Sequence, residues 1–303
     1  MRVLVTGVAG QLGYDTINAL RSRGIIAFAT DIKEESEITY KANWDRYFKV
    51  DITDEKQVRD LINEIKPDAI IHCAAWTNVD GAESPENKPL VYKINVEGTR
   101  NLALMAKEIN CKFLYISTDY VFNGQGDKPW EADDKCFTPL NYYGESKLQG
   151  ELEVSSLLKK FFIVRIAWVF GLNGKNFIKT MFNVGKTHDV VKVVNDQVGT
   201  PTFTYDLARL LVDMIETNKY GYYHATNEGG YISWYDLTVE IYKQAGLKTK
   251  VIPVTTEEYG LSVAKRPNNS RLDKSKLVEM GFTPLPDWKD AVRRYLKMID
   301  KGE

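Results

Sequence analysis

Tyr143 and Lys147 stand four residues apart in the run Tyr143-Gly144-Glu145-Ser146-Lys147. On a helix, that spacing brings both side chains to one face about one turn apart. An ammonium beside a phenol, with a positively charged nicotinamide nearby, favours the phenolate and lowers the tyrosine below its ordinary value of about 10. Such a phenol can trade a proton with an alcohol or a carbonyl. Tyr142 does not share the role, because the residue four positions on is Ser146. A second pattern, Ser117-Thr118-Asp119-Tyr120-Val121-Phe122, closes an apolar run. A hydroxyl there can hold a carbonyl oxygen as negative charge develops on it. Each pattern alone is ordinary: a Tyr–Lys pair on a solvated helix, and a strand ending in a Ser/Thr/Asp turn.

A third pattern gives them weight. Thr6-Gly7-Val8-Ala9-Gly10-Gln11-Leu12-Gly13 directly follows a compact apolar strand and opens a helical pattern. Glycines there let the backbone turn sharply and approach a diphosphate, whose charge sits at the helix N-terminus. Asp31 closes the next strand, where an acidic residue binds the adenosine ribose hydroxyls of a dinucleotide. Asp51, ending another strand, has two readings: it reaches the adenine, or it starts a turn with Thr53. With a nicotinamide cofactor beside Tyr143, the joint chemistry is hydride transfer at a carbonyl, the phenol handling the proton.

These residues need a frame that gathers them. Short β-branched runs at 2–6, 25–30, 47–51, 69–73 and 113–117 alternate with helical patterns at 12–23, 55–65 and 91–109, and 162–169 reads as a further buried strand. Strands alternating with helices imply parallel βαβ units and a sheet covered on both faces. The expected fold is α/β, a Rossmann-type doubly wound parallel sheet over residues 1–170, with a return near 203–227. Ligands in such sheets sit outside the carboxyl ends of the strands, where Thr118 falls. Beyond 171 the regularity weakens: 203–216, 234–245 and 288–299 read as helices, with strand-like pieces at 190–194 and 250–254. Residues 171–202 and 228–303 are expected to form a smaller, interleaved substrate-binding lobe.

Composition removes several classes. Lys+Arg is 40 against Asp+Glu 41, a net charge of −1, which gives no electrostatic footprint for nucleic acid or an acidic membrane surface. No apolar run approaches the roughly 18 residues that a membrane helix needs. The apolar start breaks at Gly7 without a cleavage-site pattern, so a cytoplasmic protein is expected. Cys73, Cys111 and Cys136 lie far apart with no CxxC, which argues against a disulfide framework or a cysteine zinc site. His72 sits in a buried strand and reads as packed. His188 and His224 have no carboxylate or cysteine pattern nearby, so no metal site is expected.

Together the glycine turn, the Ser/Thr after a later strand and the YxxxK spacing resemble the extended short-chain dehydrogenase/reductase family. Ala74-Ala75-Trp76-Thr77-Asn78-Val79-Asp80, Glu83, STDYVF and Pro139-Leu140-Asn141-Tyr142-Tyr143-Gly144 narrow the resemblance to its dTDP-4-dehydrorhamnose reductases. In the second half, Ala167-Trp168-Val169-Phe170, Asn176-Phe177, Asn195-Asp196-Gln197 with Gly199, Pro201-Thr202, Arg266-Pro267 and Asn269-Ser270-Arg271-Leu272 agree. The resemblance covers nearly the whole chain. It implies reduction of the 4-keto group of dTDP-6-deoxy-L-lyxo-4-hexulose to dTDP-L-rhamnose, with NADH or NADPH as cofactor. Asp31 would repel a 2′-phosphate and favour NADH.

The resemblance also implies roles. Tyr143 is the proton donor, Lys147 orients the nicotinamide ribose and tunes Tyr143, and Thr118 holds the keto oxygen. Gly7, Gly10, Gln11, Leu12 and Gly13 meet the diphosphate; Asp31, Asp51 and Ile52 serve the adenosine end; Ala74, Ala75, Trp76 and Thr77 line the cofactor trough. Asn95 braces cofactor or catalytic-site structure. Asp119, Trp168, Asn176, Asn195 and Arg271 belong to the substrate side. Trp168 has a second reading as a core aromatic, and Arg271 as a structural arginine in a Pro/Asn-rich loop. Some relatives are metal-bridged dimers, but Pro286-Asp287-Trp288-Lys289 carries a lysine where a bridging carboxylate would be sought. A monomer or a homodimer is expected.

Three alternatives have discriminating features. Sugar-nucleotide 4,6-dehydratases resemble one another in an Asp-Glu pair after the active-site threonine, whereas here Asp119 is followed by Tyr120. Epimerases retain tightly bound cofactor, visible in the absorbance of purified protein. A regulatory subunit like that of methionine adenosyltransferase has no need of the proton donor, and this chain retains Thr118, Tyr143 and Lys147.

Overall fold

A computed structural model describes residues 1–300. Strand β1 (Arg2–Thr6) buries Val3, Leu4 and Val5 completely, the unbroken apolar run of a strand covered on both faces. Helix α1 (Gln11–Ser22) follows, then β2 (Ile26–Asp31) and β3 (Arg46–Lys49). Helix α2 (Glu55–Ile65) starts where the Asp54 carboxylate accepts the Gln57 N–H and ends at Lys66 in the left-handed region. After β4 (Ala69–His72), a continuous helical stretch comprises α3 (Lys88–Tyr92), a π-helical turn (Lys93–Gly98) and α4 (Thr99–Glu108). Strand β5 (Lys112–Thr118), helix α5 (Tyr142–Leu157) and β6 (Phe161–Ile166) complete the first part.

Seven parallel strands form one sheet in the order Gly221–His224, β6, β5, β4, β1, β2, β3. On one face α1 and α7 (Thr204–Ile215) contribute Ile17, Leu20, Leu207 and Leu211; on the other α2, α4 and α5 contribute Leu61, Ile62, Leu102 and Val154. The strand order reverses between β1 and β4, which opens a crevice at their carboxyl ends. A separate core joins α6 (Phe177–Gly185), α8 (Trp234–Ala245) and the helix Trp288–Asp300 through Phe182, Ile241 and Tyr295. Among the described residues, no helix is long and apolar enough to cross a membrane.

The structure departs from the expected elements in four places. The helix expected over 91–109 is divided by the π-helical turn. The strand expected over 162–169 stops at Ile166, and Val169–Phe170 pairs elsewhere, because Trp168 adopts a φ of +50° that no strand tolerates. The sheet strand Gly221–His224 and helix α6 were not among the expected elements.

Candidate active site

The crevice deepens into a cleft of about 1090 Å³ whose walls come from both the sheet edge and the later elements. At its β1 end Gly7 takes a φ of +69°, and its N–H donates to the Thr30 carbonyl at 2.9 Å. A Cβ on Gly13 would lie 2.3 Å from the Gly7 oxygen, so α1 can start this close to the turn only with glycine there. Gly10 caps α1 without any side-chain bond, which leaves the first helical amides to the cleft. Gln11 and Leu12 line the cleft beside these glycines. Thr30 Oγ1 and Ser117 Oγ, on residues of the cleft wall, are buried with no partner among the described residues.

Asp31 also lines the cleft, but its carboxylate braces the turn: Oδ2 accepts the Ala9 N–H at 2.9 Å and Oδ1 the Lys33 N–H at 3.3 Å. Asp51 accepts the Thr53 N–H at 2.9 Å, forming the turn that was one of its two readings, and lines the cleft with Ile52. Ala74, Ala75 and Thr77 face the cleft. Trp76 does not, since its indole N–H turns to the Asn78 carbonyl at 2.9 Å.

At the other end, β5 delivers Thr118 and α5 delivers Tyr143 and Lys147 to the same wall. The Asn141 side chain caps α5 by accepting the Gly144 N–H at 2.8 Å. A Cβ on Gly144 would lie 2.3 Å from the Tyr120 carbonyl oxygen, so this glycine lets α5 lie against the Thr118 loop. Glu151, one turn beyond Lys147, grips Arg165 of β6 through two 2.8 Å bonds, with both side chains 1% exposed. That buried pair fixes α5 on the sheet.

The expected lowering of Tyr143 counts on a charged nicotinamide as well as on Lys147, and the protein's own groups act the other way. Burial raises its pKa, opposed in part by the Thr118 side chain, with no lowering by Lys147. The Lys147 ammonium instead lies 4.0 Å from the centre of the Tyr115 ring, and burial pushes it down to about 7 while Glu151 pulls the other way. Asp119 is 2% exposed and burial pushes its carboxyl up to about 6. Thr118 Oγ1 donates to one Asp119 oxygen at 3.1 Å, and the other oxygen has no partner among the described residues.

Asn95, in the π-helical turn, accepts the Trp76 N–H at 2.8 Å and donates to Ser146 Oγ at 2.9 Å. It therefore ties the cofactor-side loop to α5 without lining the cleft. His72 is packed between Thr6 at 2.7 Å and Thr99 at 3.1 Å, and burial pushes it down to about 3, which keeps it neutral.

On the substrate side Asp119 and Trp168 line the cleft, and three other expected residues do not. Asn176 caps α6, accepting the Lys179 N–H, and its amide is occupied by Gln11, Gly171 and Tyr295. Asn195 is exposed away from the cleft, its backbone N–H donating to Val254. Arg271 bonds to Asn269, whereas Arg266 reaches the site's neighbourhood through Asp80 at 2.7 Å and Tyr120 at 3.4 Å. Lys175, Phe177 and Trp234 line the cleft and were given no site role from sequence. Phe177 and Trp234 are first residues of capped helices, a pattern that carries no signal of a ligand.

The family profile of the RmlD substrate binding domain matches residues 1–301. A dTDP-4-dehydrorhamnose reductase of Aggregatibacter actinomycetemcomitans is 37% identical, covering 96% of this chain and 97% of that protein. The Bacillus subtilis spore coat polysaccharide biosynthesis protein SpsK is 36% identical over 98% of this chain and 97% of its own length. The crystal structure of a Clostridium acetobutylicum dTDP-4-dehydrorhamnose reductase superposes with a TM-score of 0.90 at 41% identity, covering 99% of this chain and 100% of that one. That of the Bacillus anthracis enzyme, in complex with NADP, gives 0.88 at 38% identity, with 98% and 99% covered. With the glycine turn, Thr118, Tyr143 and Lys147 gathered in one cleft, the chain belongs to the RmlD substrate binding domain family.

Proposed function

We propose that this protein reduces the 4-keto group of dTDP-6-deoxy-L-lyxo-4-hexulose to give dTDP-L-rhamnose, using NADH or NADPH. The observation that carries this reading is that Thr118, Tyr143 and Lys147 share one cleft with the glycine turn. The relatives' names point to the same substrate.

The cleft suits a nicotinamide dinucleotide. Gly7, Gly10 and Gly13 leave a cradle at the uncapped start of α1, which favours a diphosphate. Gln11 and Leu12 border that cradle, Asp31, Asp51 and Ile52 border the adenosine end, and Ala74, Ala75 and Thr77 border the trough. When bound, the cofactor supplies the hydride. The chain's own residues do the rest. Tyr143, kept protonated by burial, gives its phenolic proton to the C4 oxygen. Lys147, on the same wall as Tyr143, would orient the nicotinamide ribose. Thr118 has a single hydroxyl proton, now directed at Asp119. As negative charge grows on the C4 oxygen, that oxygen becomes the better acceptor, so the bond is strongest in the transition state. In this reading residues 171–202 and 228–300 form the substrate-binding lobe, residues 301–303 of the expected lobe lying outside the described residues, and the protein is cytoplasmic.

We read the cofactor preference as NADH over NADPH, because the Asp31 carboxylate opposes a 2′-phosphate; Lys33 beside it makes this a preference rather than an exclusion. The decisive assay follows NADH and NADPH oxidation with the dTDP-keto-sugar generated by coupled upstream enzymes. Consumption of neither would overturn the function. Asp31→Ala is expected to narrow the NADH/NADPH ratio in kcat/KM, and an unchanged ratio would remove Asp31 from cofactor choice.

A further inference from the structure

Asn195-Asp196-Gln197 with Gly199 resembles the family yet reaches no ligand position in the cleft. Its bonds show what it builds. Asp196 accepts the backbone N–H and the hydroxyl of Thr256, at 2.9 and 2.6 Å, and Gln197 donates to the same hydroxyl at 3.0 Å. This anchors the strand Val198–Gly199, which pairs antiparallel with Ile232–Ser233. Ser233 in turn caps α8 through a reciprocal pair of bonds with Asp236, which fixes Trp234 as the first helical residue. One small ladder therefore sets both Gly199 and Trp234.

Both meet Trp168. The indoles of Trp168 and Trp234 stack with ring centres 3.7 Å apart and planes at 16°. Phe177 supports Trp234 from the other lobe helix at 4.5 Å. A Cβ on Gly199 would fall 3.1 Å from Cε2 of Trp168 and 3.0 Å from the Ser270 side chain. Trp168 itself holds a left-handed backbone at φ +50°, a conformation that costs a bulky residue free energy and persists only when its surroundings impose it. The Trp168 carbonyl accepts the Thr202 N–H at 3.1 Å, which fixes the backbone but not the ring.

We propose that Trp234 is a positioning residue: with Gly199 it seats the Trp168 indole in the cleft wall, and α8 thereby sets how the nucleotide sugar is held. This rests on the reading that Trp168 contacts the nucleotide sugar. Trp234 also lines the cleft, so the test must separate an effect through Trp168 from a direct one.

A double-mutant cycle makes that separation. Trp168→Ala, Trp234→Ala and the double variant are assayed for kcat/KM with the dTDP-keto-sugar, for NADH affinity, and for the circular-dichroism couplet that stacked indoles produce. Trp234→Ala is expected to lose the couplet and lower kcat/KM about three- to tenfold, the range of one aromatic stack, with the NADH Kd unchanged. Trp234→Phe is expected to recover most of the activity. The double variant should be no worse than Trp168→Ala alone. Gly199→Ala, which leaves α8 intact, is expected to lower kcat/KM in the same direction by displacing the Trp168 ring. Multiplying losses in the double variant would make Trp234 a direct contact and overturn the proposal. A loss in Trp168→Ala with none in Trp234→Ala would overturn the proposal alone. No loss in Trp168→Ala would remove the reading of Trp168 and the proposal with it.

Discussion

At the scale of single residues, the chemistry turns on where protons sit. Tyr143→Phe removes the proposed proton donor while keeping the ring's volume beside Tyr120, whose ring meets it edge-on at 5.8 Å. Positioned proton donors contribute about 10²–10⁴-fold, so kcat should fall by that factor with NADH affinity nearly intact. Retention of more than about a tenth of kcat would take Tyr143 out of the reaction. Lys147 offers a second, independent test. Burial holds it at about 7, against 10.5 for the free side chain. Between those values the unfolded chain binds a proton that the folded chain lacks, so stability rises with pH across the window. The cost of the buried ammonium is fully present only below about 7. Lys147→Met removes this dependence. Its stability relative to wild type should therefore be greatest at pH 6 and shrink by about 2–3 kcal/mol by pH 9, read from urea unfolding. A difference that stays constant with pH would mean that the ammonium is hydrated.

At the scale of elements, the π-helical turn Lys93–Gly98 is the joint between the two ends of the cleft. Asn95 there holds the Trp76 backbone and Ser146 of α5 together. Asn95→Ala leaves buried polar partners unsatisfied, at a cost of about 1–3 kcal/mol each. The variant should melt earlier and bind NADH more weakly, because the trough at Ala74 and Ala75 loses its tie to α5. Fluorescence titration showing unchanged NADH affinity would confine Asn95 to fold stability. How far these elements were legible in the sequence follows from which signals are local. The β1–Gly7–α1 unit is written in adjacent residues, an apolar run followed by glycines, and it forms one end of the cleft. Tyr143 and Lys147 were legible because helical periodicity alone pairs them. The π-helical turn has no composition signal, and Gly221–His224 joins the sheet only through pairing with β6, a contact between residues far apart in sequence. Asn176 and Arg271 are bonded within the chain, an arrangement the sequence did not show, because polar residues in Pro/Asn-rich loops look alike whether they face a ligand or satisfy their own backbone. The burial of Tyr143, which raises its pKa within the protein, is a property of the assembled cleft and of no single motif.

At the scale of the whole molecule, a cleft of about 1090 Å³ exceeds the roughly 300–1,000 Å³ of a site for one drug-sized ligand. Its lining runs from the glycine turn to Trp168 and Trp234, which suits a dinucleotide at one end and a nucleotide sugar at the other. The two sides are mechanically linked: Asn173 donates to the Ala9 carbonyl at 2.9 Å and Asn176 to Gln11 at 2.9 Å, so the substrate side is fastened to the glycine turn itself. Lys33 and Lys175 add positive charge to the lining, and Trp168, Phe177 and Trp234 add apolar surface. These features lie around the reacting centre rather than at it, and a bare keto-sugar would leave most of them unused. In the proposed reading, binding energy from the nucleotide holds C4 against Thr118 and Tyr143, so removing it should lower kcat as well as weaken binding. The free 4-keto-6-deoxy sugar is therefore expected to be reduced with kcat/KM at least about 10²-fold below that of the dTDP-linked form, with part of the loss in kcat. The comparison is made by NADH oxidation at matched sugar concentrations. Equal efficiency would mean that the cleft recognises the keto-sugar alone, and that its aromatic and cationic walls serve some other ligand.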